Sequence, residues 1–158
     1  MFNISEVFEI AEQIERNGYA FYQKAAEIAQ GEESKTFLLD LASMEQDHEK
    51  LFIEMKKKFT EGEIDSPLDT DNIALAYLQA MVDGDVFSNI KPTEELLKGG
   101  ESVDDIRRMA IEFEKNTVVY FISLKNALSA PEDKSKIDNL INEEIRHIKI
   151  LTDWQPAA

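Results

Sequence analysis

Apolar side chains recur every three or four residues along most of the chain, which is the spacing of one face of an α-helix. No segment alternates apolar and polar residues for more than a few positions, so β-strands are not expected. Two stretches rich in Gly, Pro, Asp and Asn, "TEGEIDSPLDTDN" and "GDVFSNIKPTEELLKGG", interrupt the pattern and indicate loops. The first helix is expected to have Asn3 or Ser5 as its N-cap. The pattern predicts helices over residues 3–30, 34–59, 73–83, 102–129 and 133–154.

Local signals mark where the long helices begin and end. Gly31 follows the first long helix as a C′ residue, and Pro131 ends the region of the third. Ser102 and Asp105 have the spacing of a capping box at the start of the third long helix. These signals leave only short turns within the first pair and within the second pair of long helices. Each pair should therefore be antiparallel.

The connection between the two pairs, residues 60–101, is about forty residues long and carries the short helix. A single long crossover between two antiparallel pairs is the connectivity of ferritin-like bundles, whereas simple up-and-down bundles have short loops throughout. With 158 residues, the chain has the length of one domain. We therefore expect an all-α, ferritin-like four-helix bundle over residues 1–158, with 60–101 as a crossover inside this single domain.

Six polar residues repeat at one offset along the chain. The sequence has two histidines, and each follows a glutamate by three positions. Another glutamate lies thirty residues before each of these Glu-x-x-His motifs. Each member of the first half lies 99 positions before its counterpart in the second half (114 − 15, 144 − 45 and 147 − 48). The pairs are Glu15 and Glu114, Glu45 and Glu144, and His48 and His147.

The helical faces direct these glutamates inward. The apolar stripe of the last helix consists of Ile137, Leu140, Ile141, Ile148 and Leu151. Glu144 and His147 lie on that same stripe, so they are expected to be buried. Glu143 shares its face with Asn139 and Arg146, so it is expected to point toward solvent and its replacement to change little.

A set of inward glutamates and histidines needs compensation, because an unpaired ionised carboxylate in an apolar core costs many kcal/mol. Four glutamates carry −4 and two divalent cations carry +4, so a dinuclear metal cluster would be neutral. Two single glutamates with two Glu-x-x-His motifs are a known ligand pattern of ferritin-like di-iron and di-manganese proteins. The imidazoles favour a transition metal over calcium or magnesium, and iron and manganese both remain open. A buried hydrogen-bonded network without metal is the structural alternative.

The composition excludes several other kinds of site. Without any cysteine, the chain has no Cys-ligated zinc, no iron–sulfur cluster and no built-in rubredoxin-type electron relay. The net charge of −15 argues against nucleic-acid binding, which needs clustered Lys and Arg. The N-terminal "MFNISEVFEIAEQ" lacks the pattern of a signal peptide, and no window approaches the ~18 apolar residues of a membrane span. A cytoplasmic protein that does not enter a membrane is the expectation.

Four segments, "IERNGYAFY", "MEQDH", "FEKNTVVYF" and "EEIRH", resemble the rubrerythrin family of the ferritin-like superfamily. The resemblance covers the four long helices and leaves out the crossover. It implies a non-haem di-iron centre that reduces hydrogen peroxide or oxidises ferrous iron, with Glu45 and Glu144 as bridging carboxylates. By the same resemblance, the two metal ions would be bound by Glu15, Glu45, His48, Glu114, Glu144 and His147.

The chain departs from that family in two respects. Rubrerythrins usually carry a cysteine-rich rubredoxin domain that delivers electrons, and they tend to have a further glutamate where this chain has Ile111. Because the chain has no cysteine, electrons are expected to come from an external donor such as a rubredoxin-like protein. Tyr19 and Tyr22 are candidates for supplying a proton or a hydrogen bond near the metal ions, and packing is the alternative role for both.

These observations predict a stand-alone di-iron oxidoreductase of the kind that acts against oxidative stress. It would hold two iron ions, or a di-manganese or mixed pair, and would react with peroxide or oxygen as its small-molecule substrate. An iron-binding or iron-handling protein that uses the same site without redox turnover is the alternative function. Helical bundles of this kind often pair, so a homodimer is the assembly that analogy offers.

Overall fold

The computed structural model describes residues 4–61, 73–83 and 96–156. In these ranges the chain forms five helices and no β-strand. In chain order they are α1 (Ile4–Ile28), α2 (Glu32–Glu61), α3 (Ile73–Asp83), α4 (Val103–Ala127) and α5 (Pro131–Asp153). The predicted all-α class is confirmed.

The start of α1 and the turn that follows it differ slightly from the prediction. Ser5 lies inside α1 and is therefore not its N-cap, and Asn3 lies outside the described residues. The helix ends at Ile28, two residues earlier than predicted. Gly31 lies in the turn with a φ of +88°, a left-handed conformation that glycine adopts without a steric penalty. The α1–α2 turn is therefore as short as predicted.

The ends of α4 and α5 follow local capping chemistry. The Ser102 hydroxyl accepts a hydrogen bond from the backbone N–H of Asp105, and the Asp105 carboxylate accepts one from the N–H of Ser102. The predicted capping box is therefore present. Pro131 is the first residue of α5, whereas the prediction placed the start of that helix at Asp133. A proline fits there because the first turn of a helix leaves its N–H groups without helical partners.

Ion pairs show that α1 and α2 are antiparallel. Glu12 lies 3.0 Å from the Lys56 ammonium, whereas Arg16, one turn later on α1, lies 3.3 Å from the earlier α2 residue Glu49. Residue numbers therefore rise along one helix while they fall along the other. Glu12 is 4% exposed, so its pair with Lys56 compensates a charge inside the bundle.

The second pair, α4 and α5, is antiparallel by the same criterion. Lys125 near the end of α4 donates a 2.8 Å hydrogen bond to Asp138 near the start of α5. Arg107 near the start of α4 donates a 2.7 Å hydrogen bond to the carbonyl of Trp154, which follows α5. The four long helices thus form the two antiparallel pairs that the short turns predicted.

Two apolar cores fill the bundle, and a polar layer separates them. The first core includes Phe8, Ile14, Phe52, Met55, Phe121, Leu124 and Ile137. The second includes Phe21, Tyr22, Leu38, Leu41, Ile106, Leu151 and Trp154. On each long helix the segment between the two cores carries the inward glutamates and histidines. Burial of the large apolar side chains on both sides supplies most of the stability that holds this layer in place.

The described part of the crossover packs against the four-helix bundle and contributes side chains to both apolar cores. Ala74 and Leu78 of α3 pack in the first core, and Leu97 packs in the second. The remainder of the predicted 60–101 crossover, residues 62–72 and 84–95, lies outside the described ranges. Of the helices described, none is long and apolar enough to cross a membrane.

Candidate metal centre

Six buried polar side chains meet in the layer between the two cores. The helices α1 and α4 each contribute one glutamate, while α2 and α5 each contribute a glutamate and a histidine three residues apart, on one helical face. None of the six is more than 4% exposed. They are Glu15, Glu45, His48, Glu114, Glu144 and His147. The structure thus brings together the whole set that the repeat singled out.

These side chains form two overlapping groups of four. Within each group, one oxygen or nitrogen atom from every residue lies within 4.8 Å of those of the others. The first group is Glu15, Glu45, His48 and Glu144, and the second is Glu45, Glu114, Glu144 and His147. Glu45 and Glu144 are the two residues common to both groups.

Both histidines turn Nδ1 toward the centre of the cluster. Nδ1 of His48 lies 2.8 Å from Oε1 of Glu144. The two imidazole rings are nearly parallel, with an interplanar angle of 14° and centroids 5.9 Å apart. Nδ1 of His147 lies 3.0 Å from Glu144, 3.2 Å from Glu45 and 3.4 Å from Glu114. Three carboxylates thus approach one imidazole nitrogen to within 3.4 Å.

Burial raises the pKa of three of the four cluster carboxyl groups. It raises the pKa of Glu15 and of Glu45 well above the usual range, and the charges of neighbouring glutamates raise both further. Burial and the charge of Glu144 raise the pKa of Glu114 to about 8. With a pKa of about 8, Glu114 holds its proton near neutral pH in the metal-free protein.

Glu144 and the histidines shift in the directions expected of ion pairs. Burial alone would raise the pKa of Glu144, but its close contacts with Glu114 and with both histidines hold it well below its usual range. Burial would lower the pKa of His48, yet its hydrogen bond with Glu144 raises it to about 9. Burial would also lower the pKa of His147, but the close approach of the Glu114 and Glu144 carboxylates outweighs this effect and raises it to about 12.

The cluster also contains buried atoms that lack hydrogen-bond partners among the described residues. They are both carboxylate oxygens of Glu15 and of Glu45, one oxygen each of Glu114 and Glu144, and Nδ1 of His147. Leaving one such atom unpaired costs about 1–3 kcal/mol. Oxygen and imidazole donors in this number suit two transition-metal ions, which would satisfy all of these atoms at once. The residues present therefore fit a dinuclear metal site.

The two candidate tyrosines lie in different surroundings. The Tyr22 hydroxyl donates a 2.5 Å hydrogen bond to Oε1 of Glu114, and burial raises the pKa of Tyr22 well above its usual range. The Tyr19 hydroxyl accepts a 2.6 Å hydrogen bond from the amide of Gln23 on the exposed side of α1. Only Tyr22 therefore has a described hydrogen bond with the cluster.

Gly18 makes room for one of the shared carboxylates. A Cβ atom at this position would lie 3.0 Å from Oε2 of Glu45 and 2.9 Å from Cε1 of Phe113. Both distances are shorter than ordinary van der Waals contacts. Glycine at this helical position therefore allows α1 to approach the carboxylate of Glu45 closely.

Two residues that the sequence pattern did not single out contact the outer edges of the histidines. Oε2 of Glu143 lies 2.5 Å from Nε2 of His48, and the sulfur of Met44 lies 3.2 Å from Nε2 of His147. The Glu143 side chain is 48% exposed, as its face predicted, but its contact with His48 was not predicted and argues against the expectation that replacing Glu143 would change little. The available signal was position, because each of these residues directly precedes the glutamate of a Glu-x-x-His motif.

A cavity of about 290 Å³ adjoins this outer side of the cluster, between α2 and α5. It is lined by His48, His147, Met44, Asp47, Glu143 and Arg146, together with Ile150. The cavity is large enough to hold several water molecules or a small substrate. The cavity therefore places a space large enough for a small substrate next to the rings of His48 and His147.

Comparisons with known proteins agree with this geometry. Comparison with curated proteins finds no match. Among solved structures, a protein from Thermotoga maritima described as a candidate ferritin-like diiron-carboxylate protein superposes with a TM-score of 0.71. The two chains are 20% identical, and the match covers 96% of this chain and 93% of the other, so they share the fold. A family model of rubrerythrin matches residues 6–154. The chain therefore belongs to the rubrerythrin family.

Proposed function

We propose that this protein is a di-iron oxidoreductase that reduces hydrogen peroxide, or activates dioxygen, with electrons from an external protein donor. The observation that carries the proposal is the pair of overlapping groups that share Glu45 and Glu144 and contain the unpaired buried atoms. Four ionised carboxylates would carry −4, and burial with their mutual repulsion raises the pKa of Glu15, Glu45 and Glu114, so ionising all four in this layer needs added positive charge. Two divalent ions neutralise that charge and give each unpaired atom a partner.

The two overlapping groups support one assignment of residues to each ion. Glu15 and His48 would bind one ion, Glu114 and His147 would bind the other, and both shared glutamates would contact the two ions. The imidazole ligands favour a transition metal, and membership of the rubrerythrin family favours iron over manganese. When bound, a pair of iron ions supplies two electrons to the substrate.

The chain itself supplies a route for protons. Reduction of hydrogen peroxide to two water molecules takes up two electrons and two protons. The Tyr22 hydroxyl, protonated at neutral pH like an ordinary tyrosine, donates a 2.5 Å hydrogen bond to Glu114, and burial raises its pKa further. We assign Tyr22 as the donor of one of these protons, and not Tyr19, whose hydroxyl meets Gln23 on the outer side of the helix. The second proton comes from water, which also returns a proton to Tyr22 after each turnover. The adjoining cavity would admit the substrate from the histidine side.

The absence of cysteine defines the test. Protein loaded with ferrous iron without oxygen should be oxidised by one equivalent of peroxide per metal pair and then stop, because the chain has no second store of electrons. A rubredoxin-like donor with its reductase should restore turnover, whereas the same donor with metal-free protein should not. If the iron-loaded, reduced protein reacted with neither peroxide nor oxygen, the proposed oxidoreductase function would be excluded. Uptake of many iron ions per chain would favour the iron-handling alternative.

A further inference from the structure

The two residues that touch the outer histidine edges are equivalent positions of the internal repeat. Met44 and Glu143 are separated by 99 positions (143 − 44), the same offset that relates the six cluster residues. Each reaches across to the other helix, so that Met44 contacts His147 and Glu143 contacts His48. The repeat therefore places one side chain in the same location on each histidine.

The chemistry at these equivalent positions differs. Glu143 presents a carboxylate oxygen 2.5 Å from Nε2 of His48, and a carboxylate is a strong acceptor. Met44 presents a thioether sulfur 3.2 Å from Nε2 of His147, and a thioether is a weak acceptor. The six cluster residues are identical in the two halves of the repeat, but the side chains that contact Nε2 of the two histidines differ.

A carboxylate behind a metal-binding imidazole affects the metal through the ring. When Nε2–H donates to the carboxylate, the proton stays on Nε2, and the lone pair of Nδ1 remains free for a metal ion. The same hydrogen bond makes the imidazole a stronger ligand and fixes the orientation of its ring. Nδ1 of His48 faces the cluster, as this role requires.

We infer that Glu143 makes the two metal positions unequal, so that the position formed by Glu15 and His48 binds the first ion more tightly than the position formed by Glu114 and His147. This inference rests on the proposed dinuclear site. It assigns Glu143 as a positioning residue, because Glu143 acts through His48. The half-exposed side chains of Met44 and Glu143 allow both positions to be changed without opening either apolar core.

Calorimetric titration of metal-free protein with ferrous ion, without oxygen, tests the inference. The wild-type protein should show a tighter and a weaker step. Glu143→Met copies the other half of the repeat and should weaken the tighter step about 10–100-fold. Glu143→Gln keeps the size of the side chain and should have an effect in the same direction. Glu112→Met, which removes an equally negative but exposed carboxylate from α4, is the control and should leave both steps unchanged.

Histidine variants identify which position is the tighter one. His147→Ala should keep the tighter step, whereas His48→Ala should lose it, and the double variant Met44→Glu/Glu143→Met should reverse this preference. Circular dichroism checks that each variant folds. Unchanged affinities in both Glu143 variants, or a tighter step that needs His147 and not His48, would overturn the inference alone. Wild-type protein that binds no ferrous ion would overturn the proposed function as well.

Discussion

The Tyr22 hydroxyl donates a 2.5 Å hydrogen bond to Oε1 of Glu114, 92 positions later in the chain, and both side chains are fully buried. Tyr22→Phe keeps the ring in the second core and removes only this donor. If the hydroxyl supplies a proton, stopped-flow oxidation of the iron-loaded, reduced variant by peroxide should slow by about 10²-fold or more with unchanged metal content. Tyr120→Phe is a matched control, because the buried Tyr120 hydroxyl donates to the carbonyl of Val7. If peroxide oxidised the Tyr22→Phe and Tyr120→Phe variants at the same rate, Tyr22 would not be the proton donor.

Shared and unshared glutamates should differ in metal content. Glu144 belongs to both groups, so Glu144→Ala should lose both metal ions, whereas Glu114→Ala should retain the ion next to His48. Glu112→Ala removes an exposed carboxylate of the same helix as Glu114 and should retain both. Elemental analysis of protein loaded with ferrous iron and then desalted gives the metal content per chain. Wild-type metal content in Glu144→Ala would refute its bridging role.

Gly18 should matter more for metal binding than for folding. The Cβ of Gly18→Ala would displace the carboxylate of Glu45 and the ring of Phe113, while alanine gains up to about 1 kcal/mol in helix propensity. We expect little change in unfolding temperature of the metal-free protein and a loss of roughly tenfold or more in ferrous-ion affinity. Gly100→Ala introduces a Cβ that would meet nothing within 4 Å and serves as the control. If Gly18→Ala bound ferrous ion with wild-type affinity, displacement of the Glu45 carboxylate would not affect metal binding.

The metal-free protein should lose stability as the pH rises. The pKa of Glu114 is raised from 4.5 to about 8, so the folded state binds more protons than the unfolded state between these values. The pKa of His48 is raised from 6.5 to about 9 and acts in the same direction. The stabilisation of the folded state by these two raised pKa values is therefore present at pH about 5 and is lost as the pH rises to about 9. The lowered pKa of Glu144 opposes this trend only below its ordinary value of 4.5.

Thermal unfolding in the presence of a chelator, measured across this pH range, checks the sign. Glu114→Gln should reduce the slope, because the amide cannot lose a proton. Metal affinity should change in the opposite direction and increase with pH, since binding displaces the protons of these ligands. An unfolding temperature of the metal-free wild type that rises from pH about 5 to about 9 would contradict the raised pKa values.

The long helices were predictable because their signals are local. Spacing of apolar residues and caps such as Ser102 placed the helix ends within two residues of the observed positions. Pro131 was assigned to the end of one helix although it begins the next, because a proline marks a boundary without showing on which side the helix lies. The two turns were short, so the antiparallel pairing also followed from the sequence.

The cluster was predictable for a different reason. Charged residues on an apolar stripe conflict with burial, and the conflict is visible at Glu144 and His147 without any knowledge of the neighbouring helices. The common offset of 99 then connected the two halves of the chain. The sequence by itself therefore determined the helices, their pairing and the identity of the six residues that the bundle buries together.

Only the tertiary structure decided the contacts across helices. Periodicity shows which face of its own helix a residue occupies, but the axial rotation and vertical register between α2 and α5 determine what that residue meets. Glu143 lies at the edge of the buried face, where it is half exposed and still 2.5 Å from His48. Gly18 lies one turn after Glu15 on α1, and its position in the sequence does not show that a Cβ there would meet the Glu45 carboxylate. Both contacts depend on interhelical distances of a few ångströms, which close packing of four helices sets and no single helix encodes.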